Sequence, residues 1–238
     1  MSTAPRSTEN TSHRFSWIDE AVRSTQVEIW KRRVELWNGN VPSNPIDILD
    51  PGVALAARGY KVEARCSLGE AWVEGVRSEV AGIIDHDRNV VSISQQFLPP
   101  VQRFTLAHEL AHSVLHPNGG SMHRDLPLEK SGIVRSPQEI QANYFASVFL
   151  MTNRLVLQQF GVCFRILRFE LTDEMAQALC RTSADCVRRR CRSLRQLSML
   201  IAGADSFNGK HFLPLASQFR VSITAMAIRL EDLGLVIF

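Results

Sequence analysis

Residues 104–117 of this chain read FTLAHELAHSVLHP. No glycine or proline interrupts residues 104–115, and the alanines within them favour a helix. Pro117 cannot continue a helix, so the pattern predicts a helix that ends just before it. His108 and His112 then lie one turn apart on the same helical face.

Two imidazoles on one helical face can bind a single metal ion at about 2.0–2.1 Å from each. Glu109 lies about 100° round the helix from His108, too far for a natural third ligand but within reach of a nearby water. With zinc as the ion, the substrate carbonyl is polarised and the water acidified. Glu109, as the general base, would carry a proton from the water to the leaving nitrogen. The alternative is that His108 and His112 are ordinary buried helix residues.

A catalytic zinc site needs one more protein ligand and an open position. Five side chains downstream carry suitable donor atoms: His116, His123, Asp125, Glu129 and Glu139. His116 continues the face of the histidine pair, but it lies about 12 Å along the helix axis from His108. One ion cannot comfortably bind both ends of that span.

Glu139 begins the next predicted helix, SPQEIQANYFASVFLM, residues 136–151. Ala142 and Ala146 in this segment are small enough for a neighbouring helix to approach closely. Ser136 and Glu139 also form an S-x-x-E capping box, which alone would explain the glutamate. Spacing therefore leaves both roles of Glu139 open, as metal ligand and as capping residue.

The two motifs together resemble the ImmA/IrrE family of zinc-dependent metallo-endopeptidases. FTLAHELAHSVLH is followed, 27 positions after His112, by E-x-x-A-N-x-F-A, which begins at Glu139. The resemblance covers residues 45–152 and 212–237. It implies one Zn²⁺ on the two helix histidines and Glu139, with Glu109 as general base. It also implies a helix-turn-helix transcriptional repressor as substrate, and therefore a role in transcription regulation.

The order of the predicted elements indicates an α+β fold. Residues 78–94 contain two β-branched runs separated by turn-forming residues, which predict a hairpin, and strands are predicted only in the first half of the chain. We therefore expect a small antiparallel sheet packed on helices that include the HExxH zinc helix, a zincin-like arrangement, followed by a mostly helical C-terminal region.

Composition divides the chain into three parts. Residues 1–16 are polar and predict a disordered tail. Residues 17–152 are assigned to the zincin-like metallopeptidase domain. Residues 153–238 are assigned to the helical C-terminal region, in which residues 212–236 have the pattern of a helix-turn-helix.

The second strand of the hairpin is a candidate for substrate binding. It comprises Val90, Val91, Ser92, Ile93 and Ser94, and it precedes the zinc helix by only about ten residues. If it forms a sheet edge, its free backbone groups can pair with an extended peptide.

The C-terminal region leaves a second function class open. Residues 151–210 hold ten basic against five acidic residues, and the run VRRRCRSLR could contact phosphates or an acidic protein. In the helix-turn-helix segment, Thr224 and Arg229 are the chief side chains that could contact bases. The alternative function is a non-catalytic regulator that binds DNA or a repressor. A solvated helix face is the favoured explanation of the arginines, so nucleic acid is the less favoured partner.

Charge and cysteine content bear on location. The net charge of +3 among 238 residues demands neither nucleic acid nor an anionic membrane as partner. The five cysteines are odd in number and lack a C-x-x-C spacing, which favours reduced thiols and a cytoplasmic protein. The first residues lack the apolar core of a secretory signal, and no apolar run is long enough to span a membrane.

Overall fold

The computed structural model describes residues 15–73, 76–117, 122–125 and 136–238. For Val73, Val76 and residues 122–125 only the backbone is described. Residues 1–14 of the predicted tail lie outside these ranges. Its last two residues are folded, because Phe15 packs on Tyr144 at 4.8 Å between ring centroids and Ser16 begins the first helix. Buried apolar surface at Phe15 explains why the predicted boundary at residue 16 is too late.

The described residues form eleven helices and ten strands. The helices are α1 Ser16–Leu36, α2 Pro45–Ile48, α3 Pro51–Ala57, α4 Pro99–Leu115, α5 Pro137–Leu150, α6 Asn153–Phe164, α7 Asp173–Cys180, α8 Ala184–Arg190, α9 Leu194–Ala202, α10 Leu215–Gln218 and α11 Ile223–Asp232. The strands are β1 Lys61–Arg65, β2 Glu70–Val73, β3 Val76–Glu79, β4 Gly82–Asp85, β5 Val90–Ser94, β6 Met122–Asp125, β7 Phe169–Glu170, β8 Ser206–Phe207, β9 Lys210–His211 and β10 Val236–Ile237. The predicted α+β class is confirmed.

The main sheet has four strands in the order β1-β5-β4-β6. β4 and β5 form the predicted hairpin. Its turn includes Asn89, which has a φ of 52°. The carboxylate of Asp85 closes the turn by accepting a hydrogen bond from the backbone N–H of Arg88 at 3.0 Å. β6 joins antiparallel to β4, and β1 joins parallel to β5. The sheet is thus antiparallel except for the pairing of β1 with β5. These two strands are not consecutive, since β2, β3 and β4 lie between them in the chain.

The condition for substrate pairing, that residues 90–94 form a sheet edge, is not met. β5 is paired along its whole length with β1, from Lys61 opposite Val90 to Arg65 opposite Ser94, and it is also paired with β4. Its backbone groups are therefore used within the sheet. The outer strands of this sheet, in the part of the chain that is described, are β1 and β6. Hairpin patterning could not predict this, because β1 comes from an earlier segment of the chain.

α4 lies against one face of the sheet. Ile84, Val91 and Ile93 point to that face and are buried, as expected for alternating strands. Ile83 and Ser92 point to the opposite face, where they help line a cleft of about 530 Å³. On its other side α4 packs against α5, and α1 packs against α5 in turn. The sheet and α5 therefore enclose α4 from two sides.

The second half of the described chain also contains strands, contrary to prediction. β7 and β10 form a parallel pair of two residues each, and β8 and β9 form a short hairpin. Two-residue strands are too short to produce an alternating pattern, so they could not be predicted from hydrophobic periodicity. Helices still dominate residues 153–238, and the buried side chains of this region belong to the same hydrophobic core as those of the first half. The proposed division at residues 152 and 153 stays a prediction.

Arg229 of α11 ties the C-terminal region to the end of α5. Its Nε donates to the backbone oxygen of Met151 at 2.9 Å, and its second guanidinium nitrogen donates to the Asn153 side chain. Only 3% of the residue is exposed, and this burial lowers the pKa of the guanidinium, opposed by the charge of Asp232.

The helix-turn-helix pattern of residues 212–236 corresponds to α10 and α11. α10 has only four residues, and α11 packs along α9. Arg229 is buried and bonded within the protein, so its predicted availability for DNA bases is wrong. Thr224 is partly exposed. Among the described residues, no helix has both the length and the apolar character required to cross a membrane.

We predict that Arg229→Met destabilises the protein by about 1–3 kcal/mol, because it leaves the Met151 carbonyl without its donor. Chemical denaturation followed by circular dichroism measures this. Arg154→Met is the matched control: Arg154 is exposed on α6, and the same substitution there should change the free energy of unfolding by less than about 0.5 kcal/mol. Equal effects of the two substitutions would show that the buried contacts contribute nothing.

Candidate metal centre

α4 carries both histidines of the motif into the interior. Prolines occupy the first turn of the helix, where no backbone donor is required, and the helix ends at Leu115. His108 is fully buried and His112 is 2% exposed. A buried imidazole pair must have its polar atoms satisfied, so the contacts of the two rings decide what the pair can do.

The two histidines and Glu139 bring three donor atoms together. Nε2 of His108 and Nε2 of His112 lie 3.0 Å apart. The Glu139 carboxylate oxygens lie 3.3 Å from the first nitrogen and 3.4 Å from the second. Four ligands placed tetrahedrally at about 2.0–2.1 Å from an ion would be separated by about 3.3–3.4 Å. Each imidazole nitrogen thus has one Glu139 oxygen near that separation, and one donor atom from each of the three residues lies within 4.8 Å of the others.

The backbone and the side chain of Glu139 have different contacts. Ser136 caps α5, since its hydroxyl accepts a hydrogen bond from the backbone N–H of Glu139 at 3.3 Å. The carboxylate of Glu139 points to the histidine pair, and its side chain is 16% exposed. Ser136 thus begins the helix, while the Glu139 side chain completes the group of three donors that could hold a metal ion.

Asn143 orients one of the histidines, a role that the spacing analysis did not assign. Its Oδ1 lies 3.1 Å from Nδ1 of His108. An amide oxygen can only accept a hydrogen bond, so this contact places the ring proton of His108 on Nδ1. The unprotonated Nε2 then presents its lone pair as one of the three donors. The available signal was the spacing, because a residue four positions after Glu139 lies on the same face of α5.

Glu109 lies about 100° round α4 from His108, towards the sheet. It is fully buried, and its carboxylate lies beside Gly82 at the start of β4. It does not belong to the group of three donors. The rotation of about 100° per residue predicted this separation between the carboxylate and the ligand set.

Of the other candidates for a third ligand, His116 has a described side chain, and it does not belong to the group of three donors. The ring of His116 lies 5.7 Å from that of His112, between centroids, at the end of α4. Only the backbone of His123 and Asp125 is described, in β6 next to β4. Glu129 lies outside the described residues.

Arg103 serves the fold. Its guanidinium donates to the backbone oxygens of Ile46 at 3.3 Å and Leu49 at 2.8 Å. It also lies 3.7 Å from the carboxylate of Asp50. Burial lowers the pKa of this guanidinium, while the charge of Asp50 opposes that shift. These contacts hold the α2–α3 segment against the first turns of α4.

Residues 90–94 lose the basis on which they were predicted to bind substrate. The backbone of β5 is paired on both sides, so it cannot receive a peptide strand. Val91 and Ile93 are buried on the α4 side, Ser94 is fully buried, and Val90 and Ser92 line the cleft on the far face. The strand therefore forms part of the sheet face on which α4 packs.

Comparison with known proteins agrees with this geometry. No curated protein matches the chain. Residues 76–168 match the family model of peptidase M78, described as the IrrE N-terminal-like domain, and this range includes β3 to β6, α4, α5 and all three donor residues. The match supports a metallopeptidase-type function. The match of residues 76–168 to the IrrE N-terminal-like domain therefore supports the resemblance to the ImmA/IrrE family.

Proposed function

We propose that the protein is a zinc-dependent endopeptidase that acts in the cytoplasm on a protein substrate. The observation that carries the proposal is the convergence of His108, His112 and Glu139, with donor separations of 3.0–3.4 Å. Two imidazoles and one carboxylate are a ligand set of catalytic zinc sites, which keep a fourth position open. The five free thiols support a reducing compartment.

Two faces of α4 carry the residues with proposed chemical roles, the metal ligands His108 and His112 on one and the base Glu109 on the other. When bound, zinc would polarise the scissile carbonyl and acidify water at the site. Glu109 accepts a proton as the water oxygen bonds to the carbonyl carbon, and it gives a proton to the nitrogen as the C–N bond breaks. Asn143 holds the His108 ring in the orientation that the ligand set requires.

The proposed substrate is a helix-turn-helix transcriptional repressor, whose cleavage would switch transcription. This proposal rests on the resemblance to the ImmA/IrrE family. The scissile peptide must reach His108, His112 and Glu139 in an extended conformation. We therefore expect the cut to lie in an exposed linker or loosened helix of the repressor rather than in a rigid domain.

One observation favours the second candidate, a regulator that binds DNA or a repressor without catalysis. Arg189, Arg190 and Arg192 are exposed in and after α8, and no ion pair involves them among the described residues. Such a surface could contact phosphates. The burial of Arg229 counts against base recognition by α11.

We predict that the purified protein holds about one zinc ion per chain and that Glu139→Ala weakens its retention. Removal of the carboxylate takes away one of three ligands. Metal analysis after dialysis against a chelator of graded concentration measures the effect. Ser136→Ala is the control: it removes the cap of the same helix but keeps the carboxylate, so zinc should be retained. If Glu139→Ala retains zinc as tightly as the parent, Glu139 is only a capping residue.

Glu109→Gln should keep the metal and lose cleavage. The amide cannot accept a proton, and general base catalysis typically contributes about 10²- to 10⁴-fold in rate. Mass spectrometry of candidate repressors incubated with the protein, with and without chelator, measures the loss and locates the cut. Unchanged cleavage by the variant would refute the role of Glu109.

The same variant separates the two candidate functions. If the protein is a DNA-binding regulator, a salt-dependent shift of duplex DNA should persist in Glu109→Gln and weaken in Arg189→Ala/Arg190→Ala. If it is a peptidase, the arginine variant should still cleave the repressor. Cleavage that depends on Glu109, without a shift of DNA, would eliminate the regulator.

A further inference from the structure

β4 and α4 approach most closely at Gly82. A β-carbon added at this position would lie 2.5 Å from Thr105 Cγ2 and 2.6 Å from Glu109 Oε1, with Glu109 Cδ at 3.3 Å. Carbon atoms in contact are normally separated by about 3.5–4.0 Å, so the first two distances are clashes. Thr105 and Glu109 are four residues apart and share the face of α4 that meets the strand.

Backbone conformation does not require glycine here. The glycines with positive φ are Gly39, Gly59, Gly69, Gly209 and Gly234, so Gly82 has a conformation that other residues adopt. Glycine weakens a strand and often marks the close approach of another element. At Gly82 that element is the turn of α4 that carries Glu109.

The strain of a side chain at position 82 would fall on Glu109. β4 is held on both sides, with Gly82 opposite Ile93 of β5 and opposite Asp125 of β6, so the strand resists displacement. Thr105 is β-branched and 3% exposed, and its side chain is stiff in a helix. The carboxylate of Glu109 ends a longer, more flexible side chain and is the group that can move.

We propose that Gly82 is a positioning residue for the catalytic base. Because glycine has no side chain, the Glu109 carboxylate can lie against position 82, and this close contact sets its orientation for catalysis. This inference rests on the proposed role of Glu109 as general base. It adds that the start of the hairpin, and not only α4, determines where that base lies.

Gly82→Ala should lower kcat by about 10²-fold, the size of effect that a misplacement of about 1 Å produces, while KM and zinc content change little. Gly161→Ala is the matched control, because a β-carbon at Gly161 in α6 meets nothing within 4 Å. Its kcat should equal that of the parent. If Gly82→Ala keeps full kcat while Glu109→Gln is inactive, the inference is wrong and the proposed function stands.

Thr105→Ser separates the two clashes, because serine lacks the methyl group that lies 2.5 Å from the added β-carbon. If misplacement of Glu109 causes the loss, Gly82→Ala/Thr105→Ser should regain stability but remain slow. Recovery of full kcat in this double variant would assign the effect to Thr105 packing and overturn the inference.

A double-mutant cycle on thermal stability tests the contact without reference to activity. In the Thr105→Ser background, Gly82→Ala should lower Tm, and it should lower it less once Glu109→Ala has removed the carboxylate. Equal losses in both backgrounds would overturn the inference. If Gly82→Ala alone does not fold, the Thr105→Ser/Glu109→Ala background should restore folding, and failure there would overturn it too. A parent protein that cleaves no repressor would refute the proposed substrate and leave this cycle valid.

Discussion

The close packing of α4 against α5 is the contact on which the rest of the site depends. Ala111 follows His108 by three positions on α4, and Ala142 and Ala146 share a face of α5 with Glu139. All three alanines are fully buried. Small side chains let the helix axes approach until a glutamate on one helix lies 3.3–3.4 Å from imidazoles on the other. Because the three alanines belong to the core, a larger residue at any of these positions would overpack the helix pair and move the donors apart.

Burial of this polar group has an energetic consequence. Two imidazoles and a carboxylate in the interior lose their hydration, and each needs a partner. A divalent cation among the three donors would supply that partner, so metal binding and folding of the α4–α5 pair should be linked. The surrounding apolar residues stabilise the pair independently, since α4 is also packed on the sheet and α5 on α1. The fold thus holds the donors near their binding geometry from outside the site.

The sequence predicted the parts of the site that depend on one helix, and it left open those that depend on two elements. Helical periodicity placed His108 and His112 together and Glu109 apart from them. It could not decide between ligand and cap for Glu139, because that choice depends on how α5 lies against α4. The hairpin was predicted from its turn residues, yet the position of β5 inside the sheet depends on β1, which is distant along the chain. Gly82 stood in a strand pattern, and only the structure shows that its neighbour is Glu109.

The C-terminal region also helps to hold the helix that presents Glu139, although its sequence carries no catalytic motif. α5 presents Glu139 at its first turn and ends at Leu150, and Arg229 of α11 donates to the backbone oxygen of the next residue, Met151. Near the middle of α5, Tyr144 donates to Asp19 of α1 at 3.0 Å, and burial together with this carboxylate raises the pKa of the phenol. α5 is therefore fixed by α1, α4 and α11, which come from three separated parts of the chain. A segment without recognisable chemistry can thus act on the metal ligand through the helix that presents it.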